Sequence, residues 1–467
     1  MKFSDLKSSF QEFWSEFKRV RSGIFGLVLF GFFIFLMLFE PLLLPFEQAN
    51  DRWRDITYWE DSPKGVPPVW ANWFSSSKKP TSSIIADAQF SEQDLGSVKI
   101  KEWLFEYDFQ ADESPQDVIL KGQGSGTPMI VYSLIRPDGQ EVTMVQQAFS
   151  LGSKNAFRLS ADKDAKKTVL DFVSGFEDPQ VVRRTDAGRT LPTRFLFAQA
   201  KPGIIRSPEA LKGLYTIKVT AIMQGANDSL SNLAIVLPGK VSGLLGTDSY
   251  KRDVWSGVLS GIKWALLIGI LTAVVSVSVG VVYGVVSAYF GGLVDSVMNR
   301  IFEIFVSVPL LPVLIVMSAV FKPSIWTLII MMAAFFWVGP VKTVRSMAMQ
   351  IREETYIEAS RALGAKNSRL IFKHMVPLLV PYSFASMALY IPGAIVYEAT
   401  VSLLGLGDAT IVTWGQILSD ALSSGAVMNG LWWWVVPPGL AIAFMGMTFA
   451  FIGFAMDKIL HPKLRTR

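Results

Sequence analysis

From Trp264 to Val294 the chain runs without a charged side chain, and that stretch constrains the fold more than any other feature. An apolar helix needs about 20 residues to cross the hydrocarbon core of a bilayer, so the run is long enough to span. Charge is unevenly distributed along the rest of the chain. The 212 residues from Ser256 to Arg467 hold 23 Lys, Arg, Asp and Glu side chains, whereas the 209 from Glu47 to Trp255 hold 51. One chain therefore joins a membrane-like part to a soluble-like part.

Six spans are predicted. The first is Gly23–Phe39, and the second begins near Val258. The third is Ile301–Phe321, containing Glu303, Pro309 and Pro312, and the fourth is Pro323–Val341. The fifth is Met375–Tyr397, and the sixth lies within Ala421–Met456, beginning around Leu431. The basic leader before the first span imitates a secretory signal, but Glu40-Pro41-Leu42-Leu43-Leu44-Pro45 offers no small-x-small cleavage site, so a retained anchor is expected. Lys and Arg near span ends stay cytoplasmic. Residues 1–21, 342–374 and 457–467 carry five, seven and four of them, while the 406–430 link carries none. Both termini are therefore expected in the cytoplasm of a multi-pass cell-membrane protein. Four segments follow: cytoplasmic residues 1–21, a first span over 22–46, an extracytoplasmic insert over 47–255 and a five-helix core over 256–467.

The insert reads as strands and turns. PMIVYSLI (128–135) and EVTMVQQAF (141–149) flank Asp138-Gly139, a strong hairpin signal. VKIKEWLFEYDF (98–109), TRFLFAQA (193–200) and GLYTIKVTAIM (213–223) alternate in polarity and extend the expectation to a β-sandwich. Residues 50–82, rich in Trp, Pro and Ser, suggest irregular covering structure. Gly122-Gln123-Gly124-Ser125-Gly126 is expected to be a flexible turn, because a phosphate loop needs a strand, a helix and a lysine beside it.

Several chemistries are excluded. With no cysteine there is no disulfide framework, thiol nucleophile or cysteine zinc site, and His374 and His461 are the only histidines. Gly239-Lys240 is followed by Val241 and lacks the upstream glycine of a P-loop, so ATP hydrolysis is not expected of this chain. The basic excess lies among the spans, which makes the pI near 9.1 weak evidence for nucleic acid.

IREETYIEASRALGAKNSRLIFKHMVP (351–377) interrupts the spans with charge. Glu353 and Glu354 favour a helix start, Gly364 is placed to end that helix, and Asn367 to cap the next. A helix tethered to two spans within a few residues is poorly placed for DNA, and its three glutamates oppose phosphate. A lipid-surface helix and a docking element for a cytoplasmic protein fit the periodicity equally well.

Glu358-Ala359-Ser360, then three residues, Gly364, nine residues and His374-Met375-Val376-Pro377, resembles the EAA loop of ABC importer permeases. Histidine at 374 is similar to the oligopeptide and dipeptide branch. LLGTDSYKRDVWSG (244–257), AYFGGLVDSVMNRIFEIFVSVP (288–309), YEATVSLLGLG (397–407) and TWGQIL (413–418) resemble segments of that branch in the same order. In the first of these, Ser249-Tyr250-Lys251 stands where the branch has Glu-Leu-Gly, and the segment between spans one and two is far longer than usual. The resemblance implies an all-α type I importer permease with six transmembrane helices, here carrying a β-rich insert. It implies a C-type permease subunit of a peptide or nickel importer, with Glu358, Ala359, Ser360, Arg361, Ala362, Leu363 and Gly364 in a coupling helix over 351–364. The implied partners are a second, homologous permease, two cytoplasmic ATPases that use ATP and Mg, an extracytoplasmic solute-binding protein and the lipid bilayer. No cofactor or metal is implied for this chain.

Glu303 and Glu398 fall in or near spans, where an ionisable group is costly without a cavity or partner. They are candidates for the translocation pathway, and they motivate the alternative of a secondary transporter driven by an ion gradient. Pairing of Glu303 with Arg300 at helical spacing, and a helix–helix hydrogen bond for Glu398, are the structural readings. Gly280, Gly284, Gly291 and Gly292 are expected to permit close helix approach, and Trp432–Trp434 to anchor at an interface.

Overall fold

The computed structural model describes residues 14–44, 49–148, 156–225 and 227–460. The chain divides into two compact units, Met1–Arg54 with Ser256–Arg467, and Asp55–Trp255.

The first unit is helical: α1 (Arg21–Leu38), α2 (Val254–Phe290), α3 (Gly292–Ser307), α4 (Leu310–Val320), α5 (Ile325–Phe336), α6 (Val338–Arg352), α7 (Thr355–Ala362), α8 (Val376–Leu403), α9 (Trp414–Ser423) and α10 (Trp432–Leu460). Among the described residues, five helical segments are long and apolar enough to cross a membrane: Arg21–Leu38, Val254–Phe290, Ile325–Arg352, Asn367–Leu403 and Trp432–Ile459. The third candidate span, Ile301–Phe321, lies in the pair α3 and α4, bent by 79° at the proline expected to kink it. Pro309 causes the bend. Proline has no N–H to continue α3, and it pushes the preceding Val308 to ψ 123, outside the helical region. Pro312 sits in the first turn of α4, where a missing N–H costs nothing.

Small residues set the helix spacing. A Cβ at Gly280 would come within 2.4 Å of the Trp337 carbonyl, and one at Gly284 within 2.8 Å of Val344, so α2 and α6 approach where the sequence expects them to. Gly291 and Gly292 do something else. Their φ values of +65 and +52 break α2 from α3, and a Cβ at Gly292 would meet nothing within 4 Å.

The second unit is built on two antiparallel sheets. Strands β1 (Ser83–Ile85), β4 (Ile119–Ser125), β7 (Ala156–Arg158) and β9 (Ser229–Leu237) form one, in the order β1-β9-β4-β7. Strands β2 (Gln89–Asp94), β3 (Lys99–Phe109), β5 (Met129–Ile135), β6 (Glu141–Ala148) and β8 (Gly213–Met223) form the other, in the order β2-β3-β8-β5-β6. Inward side chains of both sheets, among them Phe105, Leu120, Tyr132, Ile217 and Ile235, share one core, which Val169 and Val173 of the helix Lys163–Ser174 complete. The Asp138-Gly139 turn closes the β5–β6 hairpin with Gly139 at φ +81.

Two expectations fail here. TRFLFAQA folds as a short helix, Pro192–Leu196, rather than a strand. Proline fits the first helical position, and Phe195, Leu196, Phe197 and Ala198 are buried in succession instead of alternately. Gly122–Ser125 is not a free turn but the bulged end of β4, with only Gly126 at positive φ.

Candidate functional site

The charged interruption folds as two helices around one glycine. Ile351 and Arg352 finish α6, so the short helix covers Thr355–Ala362 rather than all of 351–364. Glu354 is its extended N-cap residue. At the other end, the Gly364 N–H donates to the Arg361 carbonyl at 3.0 Å and the Ala365 N–H to the Ser360 carbonyl at 3.1 Å. With Gly364 at φ +82 this is a Schellman closure, which satisfies carbonyls that a helix end would leave open. Asn367 does not cap the next helix. Lys366 holds that position, and Asn367 accepts a hydrogen bond from the Tyr289 hydroxyl at 2.7 Å.

One face of α7 is held and the other is free. Ile357 is fully buried in a core with Val281 and Val285 of α2, Val344 of α6, and Leu370, Met375 and Leu379 of the segment Asn367–Leu403. Glu358, Ala359, Arg361, Ala362, Leu363 and Gly364 are exposed, and Leu363 shows 90% of its surface. The Ser360 hydroxyl turns back to the Tyr356 carbonyl at 2.7 Å, which leaves a small outer contour beside Ala359. The Arg361 guanidinium lies 5.3 Å from the centre of the Tyr289 ring. Downstream, Leu370–Met375 widens to a π-helical turn before α8, with His374 half-buried in it. A groove beside Gly364 is lined by Lys366, Arg369, Phe372 and Lys373.

Several bracing residues escaped the sequence reading. Tyr289 is one. Arg352 is another, donating to the Ala288 carbonyl at the end of α2 at 2.9 Å, where a cation complements the helix dipole. Arg345 of α6 makes a bidentate pair with Asp295 of α3, at 2.7 and 2.5 Å. The partners of these pairs lie 50 to 78 residues apart, so no local pattern signals them.

The two intramembrane candidates are not brought together as a site. Glu303 in α3 is exposed and accepts from Arg300 at 3.1 Å, one helical turn away. Glu398 in α8 is buried and accepts from the Ser402 hydroxyl at 2.7 Å within its own helix. No group of three or more His, Asp or Glu side chains suited to a metal occurs among the described residues.

Two family models match. Residues 280–466 match the binding-protein-dependent transport system inner membrane component, and residues 8–60 match the N-terminal TM domain of oligopeptide transport permease C. The chain is 32% identical over 265 residues to the dipeptide transport system permease protein DppC of Bacillus subtilis, covering 55% of this chain and 82% of that one. It is 36% identical over 222 residues to the oligopeptide transport system permease protein OppC of the same organism, covering 47% and 72%. OppC of Haemophilus influenzae is 32% identical over 221 residues, covering 47% and 70%. A short helix buried on one face, ended by a left-handed glycine and set between apolar helices, is thus found in a chain that belongs to the binding-protein-dependent transport system inner membrane component family.

Proposed function

We propose that this chain is the C-type permease subunit of an ATP-driven peptide importer, and that α7 with Gly364 is where one cytoplasmic ATPase docks. The observation that carries the docking assignment is the division of α7. Ile357 ties it to a core shared by α2, α6 and the start of the fifth span, while Glu358, Ala359 and Leu363 face outward. A push on the outer face is therefore delivered to three spans at once. Nucleotide shifts the transporter between states only by contacting them differently, and a helix fixed in this way converts ATPase movement into span movement.

In this reading the bent α3–α4 pair completes six spans, both termini are cytoplasmic and Asp55–Trp255 is outside. A second, related permease supplies the other half of the pathway, two ATPases use ATP and Mg, and an external solute-binding protein delivers peptide. A gradient-driven transporter acting through Glu303 or Glu398 is the competing reading. Arg300 and Ser402 already engage those carboxylates.

Reconstitution tests the proposal. The complex purified from the native membrane should contain two ATPases and a second permease, and peptide with its binding protein should stimulate hydrolysis. Transport by this chain alone, driven by an ion gradient, would refute it. A cysteine placed at exposed Ser125 should react with an impermeant reagent in intact cells; reaction only after the membrane is opened would reverse the topology.

A further inference from the structure

The turn at Asp248–Arg252 holds a lysine in a backbone conformation that lysine avoids. Lys251 has φ +70, a left-handed region that crowds the Cβ of any residue other than glycine. In the pattern that residues 244–257 resemble, glycine stands here. The turn is imposed by its surroundings. Asp248 is fully buried; its Oδ1 accepts from the N–H groups of Tyr250 and Arg252, both at 2.8 Å, and its Oδ2 accepts from Arg252 Nε at 2.6 Å. The Lys251 N–H closes the loop onto the Asp248 carbonyl at 3.0 Å.

What the strain achieves is the placement of an amine. Lys251 lines a cavity of about 430 Å³ together with Lys64, Asp117, Arg158, Arg194 and Lys240. That lining holds five cations and one carboxylate. Arg158 is offset by Glu60 and Asp61, at 3.2 and 3.7 Å, and Lys240 by Glu113 at 3.0 Å. Lys64 and Arg194 have no carboxylate within ion-pair distance among the described residues. Asp117 accepts from the Val118 and Ser160 N–H groups at 2.9 and 2.8 Å and from the Ser160 hydroxyl at 2.6 Å, and it is the one carboxylate in the lining that faces Arg158 and Lys251. Lys251 Nζ donates to the Glu60 carbonyl at 2.7 Å, which leaves two of the three ammonium donors. Burial, and then the Arg158 charge, hold that ammonium below the usual lysine range, a cost that a bound anion would relieve.

We propose that this cavity binds a small oxyanion, a carboxylate or phosphate group, with Lys251 as a direct ligand. The site lies wholly within the Asp55–Trp255 unit and is independent of the docking assignment. Cations that only improved solubility would need neither a concave wall nor a left-handed lysine.

Isothermal titration of the purified full chain at low ionic strength, with inorganic phosphate and separately with citrate, tests this. Saturable binding that weakens with added salt is expected, and whichever anion binds identifies the chemistry. Lys251→Gly removes the amine and the strain, while Lys251→Met removes the amine alone. Both should weaken binding about tenfold or more, as for loss of a hydrogen bond to a charged group, and Lys251→Gly should unfold no more readily than the wild type. Absence of saturable binding by either anion would overturn the proposal. So would Lys251→Met binding as tightly as the wild type, since the backbone and not the amine would then be responsible.

Discussion

The hydroxyl of Tyr289, in the last turn of α2, donates to Asn367 Oδ1 at 2.7 Å, 78 residues away. The same ring lies under the Arg361 guanidinium at 5.3 Å. One side chain therefore fixes α7 on one side of Gly364 and the start of the helical segment Asn367–Leu403 on the other. Tyr289→Phe should keep the ring contact and lose only the hydrogen bond, about 1 kcal/mol. Stimulated ATP hydrolysis should fall less than with Tyr289→Ala, which removes both contacts. Equal activity for the two variants would remove Tyr289 from the coupling path.

Gly364 is needed for its backbone and not for space. A Cβ there would meet nothing within 4 Å, yet φ is +82. Gly364→Ala and Gly364→Val should both weaken the α7 closure, by roughly 1–2 kcal/mol or more for the β-branched residue. Gly364→Asn should be the mildest, because asparagine tolerates the left-handed region. Transport and co-purification of the ATPases would rank the three, and a ranking by side-chain size alone would contradict this account.

Ile357 is the inward anchor of α7 and is fully buried. Ile357→Ala should cost about 2–5 kcal/mol at that core and reduce transport more than it reduces binding of the ATPases, because the outer face survives. Loss of ATPase binding with transport per assembled complex unchanged would show the opposite division of labour.

The Asp55–Trp255 unit should fold when produced alone, with a strand-type far-UV spectrum and one cooperative transition. A fragment covering 83–225 should not. It lacks β9, which lies between β1 and β4 and pairs with both. Equal stability of the two fragments would contradict this topology.

Asp228 holds the turn before β9, accepting from the N–H groups of Gly225, Gln224 and Thr127 at 2.8, 3.1 and 3.0 Å. The Gly225 bond is the largest of the contacts that keep its carboxyl below the usual aspartate range. The folded state therefore binds that proton less readily than the unfolded chain, so its stabilising contribution is present above the unfolded value near 3.9. It is lost as pH falls through the folded value. Asp228→Asn should lower the urea midpoint of the unit at neutral pH, and the difference from wild type should shrink on acidification below about pH 4. A difference that grew on acidification would reverse the assignment.

Charge distribution alone divided the chain into an apolar, membrane-like part and a charge-rich part, because a bilayer excludes ions wherever they fall in the fold. Glycine spacing around Glu358-Ala359-Ser360 likewise pointed to a helix ending at Gly364, since a left-handed closure is a local property of the backbone. Repeating apolar residues located most spans and β3, β5, β6 and β8. Tertiary structure decided the rest. Pro309 already marks the break within residues 301–321, but the 79° angle between α3 and α4 is set by how the two helices pack. Whether 195–198 alternates or is buried in succession depends on a core that both sheets complete. The partners of Tyr289, Arg345 and Lys251 lie 50 to 191 residues away. Contacts at that separation exist only after the chain has closed on itself, so the residues that brace α7 and the cavity that gathers five cations carry no local signature in the sequence.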